Sequence, residues 1–199
     1  IKTYIYKKRR KNKISRKEIG LIVDFLKRGK VIVYPTDTVY GLGCSAVNKR
    51  AIKKIFAIKK REKRKPMIIL VSSLGMLNKY CFVSKRQNDI LKKYWPAPIT
   101  FILKSRNILP KELTGGTDSI AARLPKKLFL IKIIKKTGVP IVSTSANISG
   151  EKNLDNVKSI EKYFKKNNPD LAVNGGILKG RPSRVVDLRD IGNIKILRK

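Results

Sequence analysis

Four short segments hold most of the side chains that could do chemistry in this sequence. Residues 35–43 read PTDTVYGLG, placing the hydroxyls of Thr36 and Thr38 on either side of the Asp37 carboxylate; Gly41 and Gly43 could let a ligand approach the backbone closely. Residues 143–150 read STSANISG, where Ser145 and Asn147 carry donors and acceptors suited to phosphate or ribose oxygens. Residues 59–65 read KKREKRK, and Lys59 with Arg61, ahead of Lys65-Pro66, could clamp a triphosphate with one point charge and one planar fork. Residues 180–184 read GRPSR and stand just before an apolar run. Each segment also has a purely local explanation. Thr, Asp, Ser, Asn and Gly favour turns and caps, and cations at a helix end complement its dipole.

The chain has no histidine, so the commonest general acid-base group and the commonest metal ligand are both missing. Any catalysis must use hydroxyls, amides, carboxylates and cations. Asp37, Asp118 and Asp187 could each ligate a metal or serve as ordinary turn and strand-end carboxylates, and the sequence does not choose among them. The cysteines, Cys44 and Cys81, lie far apart without metal-ligand spacing, which suits a reducing cytosol. No apolar run approaches the roughly 20 residues of a membrane span, and the N-terminal segment is too charged for a signal-peptide core. A cytoplasmic protein without membrane attachment is expected. The formal charge of +35, from 48 Lys and Arg against 13 Asp and Glu, would attract polyanions such as RNA or nucleotides. Lysines are nevertheless spread along the whole chain, as a biased genome composition would also spread them.

The elements that must position these residues follow from periodicity and punctuation. Ser15 with Glu18 forms a capping-box pattern, after which Ile19, Ile22, Val23 and Leu26 recur at helical spacing up to Gly29. Asn48 opens a second helix with Ile52, Ile55 and Phe56 on its apolar side, running to about Lys60; Ser84 with Gln87 opens another through Leu91, ended by Trp95-Pro96. Further helices are expected near residues 128–136 and 157–164. Short apolar runs at 31–34, 67–71, 99–103, 120–123, 141–143, 171–173, 185–188 and 194–197 read as strands. The alternation predicts an α/β fold with a mixed sheet. The polar stretch at 165–170 is the nearest thing to a linker, and a length of 199 residues with 42% hydrophobic content suits one domain over 1–199.

Taken in order, PTDTVYGLG, KKR with KP, WPAPIT, IAARLP, VPIVSTSAN and PSRVVDL resemble the YrdC-like threonylcarbamoyl-adenylate (threonylcarbamoyl-AMP) synthase family over nearly the whole chain. The resemblance implies a twisted mixed parallel/antiparallel sheet flanked by helices, with a concave basic face. It implies ATP contacts at Lys59, Arg61, Ser119, Ser145, Asn147, Ser183 and Arg198, with Lys59, Arg61, Ser145 and Asn147 as the catalytic set around the phosphates. It implies threonine contacts at Thr36, Arg123 and Ser143, with Arg123 forking to the threonine carboxylate. The implied substrates are L-threonine, bicarbonate or CO2, and ATP with Mg2+. A carbamate formed on the threonine amine attacks the α-phosphorus and expels pyrophosphate, and a downstream threonylcarbamoyl transferase uses the product to modify tRNA. The metal ligands are not assigned, and direct contact with tRNA or other RNA is left open.

Leu70 and Lys127 stand where the family often has histidines, Ala97 replaces a glycine, and Arg184 replaces a threonine. Many longer relatives add a C-terminal domain, and none is expected within this sequence. Two other readings are a non-enzymatic RNA-binding protein, suggested by the charge, and a carbamoyl-transfer module acting on another acceptor.

Overall fold

The computed structural model describes residues 2–5, 14–164 and 168–199, and for 2–5 the backbone alone. Residues 165–167 of the polar stretch at 165–170 lie outside the described residues, as do 6–13 of the charged N-terminal segment.

The chain opens with β1 (Lys2–Ile5), α1 (Arg16–Lys27), β2 (Ile32–Pro35), β3 (Tyr40–Gly43), α2 (Lys49–Lys59) and β4 (Ile68–Leu70). Two helices follow, α3 (Leu74–Asn78) and α4 (Lys85–Tyr94), then β5 (Ile99–Lys104), α5 (Lys111–Thr114), β6 (Ser119–Arg123) and α6 (Leu128–Thr137). The remainder is β7 (Ile141–Ser145), α7 (Val157–Tyr163), β8 (Leu171–Asn174), β9 (Arg184–Asp187) and β10 (Lys195–Arg198).

Local chemistry explains the helix boundaries. The Ser15–Glu18 and Ser84–Gln87 capping boxes are both formed, and the Asn48 side chain accepts the Ala51 N–H. Lys60 ends α2 in the left-handed conformation, with φ of 47°. The Trp95-Pro96 peptide, which is cis, leads α4 into the turn before β5.

The strands form one mixed sheet in the order β1-β8-β2-β3-β7-β4-β6-β5-β9-β10. β2 runs parallel to β8 and antiparallel to β3, while β5 runs antiparallel to β6 and parallel to β9. The central strands are apolar on both faces, which is why they read as continuous runs. Ile32, Tyr34, Leu70, Ile141, Leu171 and Val173 pack under α1 and α6, whereas Val33, Ile69, Val142 and Ala172 belong to the larger core on the opposite face.

Strand alternation then places the polar residues. Ser143 and Ser145 share the face of Ile141, and Arg123 lies opposite in orientation to Ala122, which belongs to the larger core. Ser143, Ser145 and Arg123 therefore share the sheet face of α1 and α6.

Five elements were not foreseen from sequence: β1, β3, α3, α5 and a single 3-10 turn at Ile191–Asn193. Residues 35–43, for which no strand was expected, close a hairpin, because Tyr40–Gly43 pairs with β2 on one side and with β7 on the other. Glycine lowers strand propensity, but pairing on both edges overrides it. β7 likewise runs to Ser145, two residues past its expected end.

Candidate functional site

Thr36, Arg61, Arg123, Ser143, Ser145, Ser183 and Arg198 come together around one cavity, although they are scattered along the chain. Thr38, Pro66 and Pro182 complete parts of its wall. The lining includes three arginines and several hydroxyls but no carboxylate.

The hairpin turn is internally bonded. Thr36 Oγ1 donates to the Val39 carbonyl at 2.6 Å, accepts the Thr38 N–H at 3.0 Å, and lies 2.8 Å from Thr38 Oγ1. Because the single Thr36 proton goes to Val39, Thr38 must be the donor between the hydroxyls. Thr38 Oγ1 in turn accepts from Arg123 Nη1 at 3.2 Å, and Arg123 Nη2 donates to Asp37 Oδ1 in a buried ion pair. The turn thus seats Arg123, while the Thr36 hydroxyl has no hydrogen-bonding capacity left over for a ligand.

The glycines serve packing rather than ligand approach. A Cβ on Gly43 would lie 2.1 Å from the Val142 carbonyl oxygen, and one on Gly41 would touch Thr36 and Tyr34 at 3.2 Å. Gly180 has the sharper requirement, since a Cβ there would stand 1.9 Å from the Thr38 carbonyl oxygen. Its bare backbone lets residues 180–184 close against the turn at 36–39.

Lys59 and Asn147 stand behind this cavity and do not line it. Lys59 is 1% exposed, and its Nζ donates to the Ser145 carbonyl at 2.6 Å, the Asn147 carbonyl at 2.6 Å and Asn147 Oδ1 at 3.2 Å. The same Asn147 Oδ1 accepts the Ser145 hydroxyl at 2.5 Å. Burial, then the charge of Arg61, pull the Lys59 ammonium down to about 7. Below this pH the charged form predominates, with three acceptors for its three protons. In this arrangement Lys59 braces the loop that presents Ser145.

Arg61 follows directly after the left-handed Lys60. It is steered by its own loop, with Nε donating to the Lys65 carbonyl at 3.2 Å and Nη2 to the Pro66 carbonyl at 2.9 Å. Opposite, Arg198 reaches back from β10, its Nε donating to the Ser183 carbonyl at 2.9 Å, while Ser183 Oγ lies 2.8 Å from Thr100 Oγ1. Burial, followed by the charge of Arg123, lowers the Arg198 pKa. Like charges held this close favour an anionic occupant.

Ser119 is not part of this lining. It begins β6, paired with Lys104, and its hydroxyl lies 3.2 Å from Thr117 Oγ1. Of the four departures from the family pattern, Leu70 is buried in the core beneath α1 and α6, and Lys127 caps α6, where burial lowers its pKa against the pull of Asp37. Ala97 donates its N–H to the Leu124 carbonyl at 3.3 Å, and Arg184 opens β9 beside an adjoining basin bordered by Asp37 and Thr38. The role of Thr38 as a bridge to Arg123 escaped the sequence reading. Its only signal was its place in PTDT.

Among the described residues no cluster of three or more Cys, Asp or Glu side chains could hold a metal, and no helix is long and apolar enough to cross a membrane. Asp187 is engaged by Arg189, and Asp37 by Arg123.

The threonylcarbamoyl-AMP synthase of Pyrococcus abyssi is 32% identical over 183 residues, covering 90% of this chain and 53% of the relative. That of Pseudoalteromonas translucida is 35% identical over 150 residues, covering 73% of this chain and 80% of the relative. The crystal structure of P. abyssi Sua5 complexed with L-threonine superposes with a TM-score of 0.88 at 30% identity, over 98% of this chain and 56% of that one. This chain therefore spans about half the length of the P. abyssi relative. The profile of the Sua5/YciO/YrdC family, described as telomere recombination, matches residues 24–199. With nearly the whole mixed sheet and every strand that carries the cavity inside that match, the chain belongs to the Sua5/YciO/YrdC family.

Proposed function

We propose that this chain is an L-threonylcarbamoyladenylate synthase, forming threonylcarbamoyl-AMP and pyrophosphate from L-threonine, bicarbonate or CO2, and ATP, for tRNA modification. The observation that carries the reading is the cavity itself, with three arginines converging and no carboxylate in its lining. Such a site suits a polyanionic nucleotide together with a carboxylate-bearing co-substrate. The named activity of the relatives and the L-threonine held by P. abyssi Sua5 support it.

In this reading Arg61 and Arg198 flank the triphosphate, Ser145 and Ser183 bond its oxygens, and Lys59 with Asn147 hold Ser145 in place. Arg123 takes the threonine carboxylate beside Ser143. Thr36 shapes the wall, because its hydroxyl is already committed within the turn. An ATP contact at Ser119 rests on the family pattern alone.

The threonine ammonium first gives a proton to water, its nitrogen then forms a bond to the carbon of CO2 as one C–O π bond breaks onto oxygen, and a second proton leaves to water to give the carbamate. A carbamate oxygen then attacks the α-phosphorus, and the bond to pyrophosphate breaks. Arginines placed before the reaction begins stabilise the charge that develops on the phosphates. No acidic side chain lines the cavity to hold Mg2+, so the ion would enter with ATP and would supply neutralisation of phosphate charge. The two buried free cysteines suit the reducing cytoplasm, where a downstream threonylcarbamoyl transferase would take the product.

The test is pyrophosphate release from ATP with bicarbonate and Mg2+, comparing L-threonine with other amino acids and with none. Threonine-dependent release is expected, and Arg61→Ala should lower it by about a hundredfold without unfolding the protein. Absence of release under every condition, with tight salt-sensitive RNA binding, would favour the RNA-binding reading instead.

A further inference from the structure

Arg123 and Asp37 form an ion pair whose side chains are only 6% and 10% exposed, at the junction of the cavity and its adjoining basin. Neither partner is saturated. Arg123 has five N–H donors, of which Nη2 serves Asp37, Nη1 serves Thr38, and the buried Nε has no acceptor. Nη1 and Nη2 each keep a second N–H, and because Arg123 lines the cavity, a carboxylate arriving there is an acceptor that these hydrogens suit. Asp37 offers about four acceptor positions and uses two, for Arg123 and for the Lys126 N–H at 3.3 Å. No other acidic side chain lines the cavity or the basin. A spare donor and spare acceptors side by side form the complement of an α-amino-acid zwitterion.

We propose that Asp37 and Arg123 read the substrate zwitterion together, Arg123 taking its carboxylate and Asp37 binding its α-ammonium. The inference rests on the synthase reading and adds a substrate-binding role for Asp37. It accounts for a buried acid among so many cations, and it makes selection for a free α-amine a property of the pocket. Asp37 thereby holds the nitrogen that must later be carboxylated, while Thr38 fixes the other side of the guanidinium.

The test measures binding of L-threonine and of 3-hydroxybutyrate, which lacks the ammonium, to the wild-type chain and to Asp37→Asn by calorimetry. The wild type should prefer L-threonine by at least about tenfold, the worth of one charge-assisted hydrogen bond. Asp37→Asn should lose that preference, weakening L-threonine by at least about tenfold more than 3-hydroxybutyrate, whose affinity reports any shift of Arg123. Equal weakening of both ligands, with the preference kept, would overturn the proposal and leave Asp37 as a prop for Arg123. Should Asp37→Asn fail to fold, the wild type decides alone: equal affinity for the two ligands overturns the role of Asp37. Failure of the wild type to bind L-threonine at all would instead overturn the synthase reading, and this inference with it.

Discussion

A buried lysine with three carbonyl acceptors titrates differently from a solvated one, and Lys59 makes that difference measurable. Its folded-state value of about 7 lies below the 10.5 of a free lysine. Between those values the unfolded chain holds a proton that the folded chain has released, so this group's contribution makes stability rise with pH across that window. Below about pH 7 both states are protonated and the contribution is flat. Lys59→Met cannot titrate. In urea unfolding at a series of pH values, the stability of the wild type relative to Lys59→Met should therefore rise from about pH 7 upward. A difference independent of pH would mean that the three acceptors hold the lysine near its ordinary value. Because the neutral amine has fewer protons to share among Ser145 and Asn147, the proposed synthase activity predicts pyrophosphate release that falls over the same range.

At the scale of the element, the end of α2 decides where two cations go. Lys60 takes a left-handed conformation, and the next N–H, that of Arg61, bonds back to the Phe56 carbonyl at 3.0 Å. The tight reversal leaves Lys59 pointing into the protein and sends Arg61 to the cavity wall. A residue with a Cβ is disfavoured in that conformation by roughly 1 kcal/mol relative to glycine. Lys60→Gly should therefore stabilise the protein by about 0.5–1 kcal/mol in urea unfolding, with Arg61 still in place and the nucleotide affinity unchanged. Loss of stability would show that Lys60 contributes contacts outweighing its backbone strain. The hairpin of β2 and β3 is the other decisive element, because its turn supplies both partners of Arg123.

For the whole molecule, the net charge of +35 sets a repulsive background that all folded contacts must overcome. Few acids offset it, and several of those are committed: Glu112 to Lys49 and Lys53, Asp170 to Lys54, and Asp37 to Arg123. Raising ionic strength from about 0.02 M to about 0.5 M shortens the screening length to about 4 Å and should raise the thermal midpoint by several degrees. A midpoint indifferent to salt would mean that the spread of lysines already keeps like charges apart. The same field favours anion entry, so ATP binding should weaken as salt rises even while the fold gains stability.

Helix starts were legible because they are local. Ser15 with Glu18, Asn48, and Ser84 with Gln87 bond within three residues of themselves, so their sequences suffice. Most strands were legible as apolar runs because the central sheet is covered on both faces. β3 was not, since its glycines are strand-like only through pairing with β2 and β7. The order of the six motifs pointed to residues that meet in the cavity, among them Arg61, Arg123, Ser143, Ser145 and Arg198. Tertiary structure alone decided that Lys59 braces Ser145 from behind, that Thr36 is spent within its own turn, and that Arg123 meets Asp37 across 86 residues. Such roles depend on which acceptor lies nearest in space, and a linear sequence carries no local signal for a contact made that far along the chain.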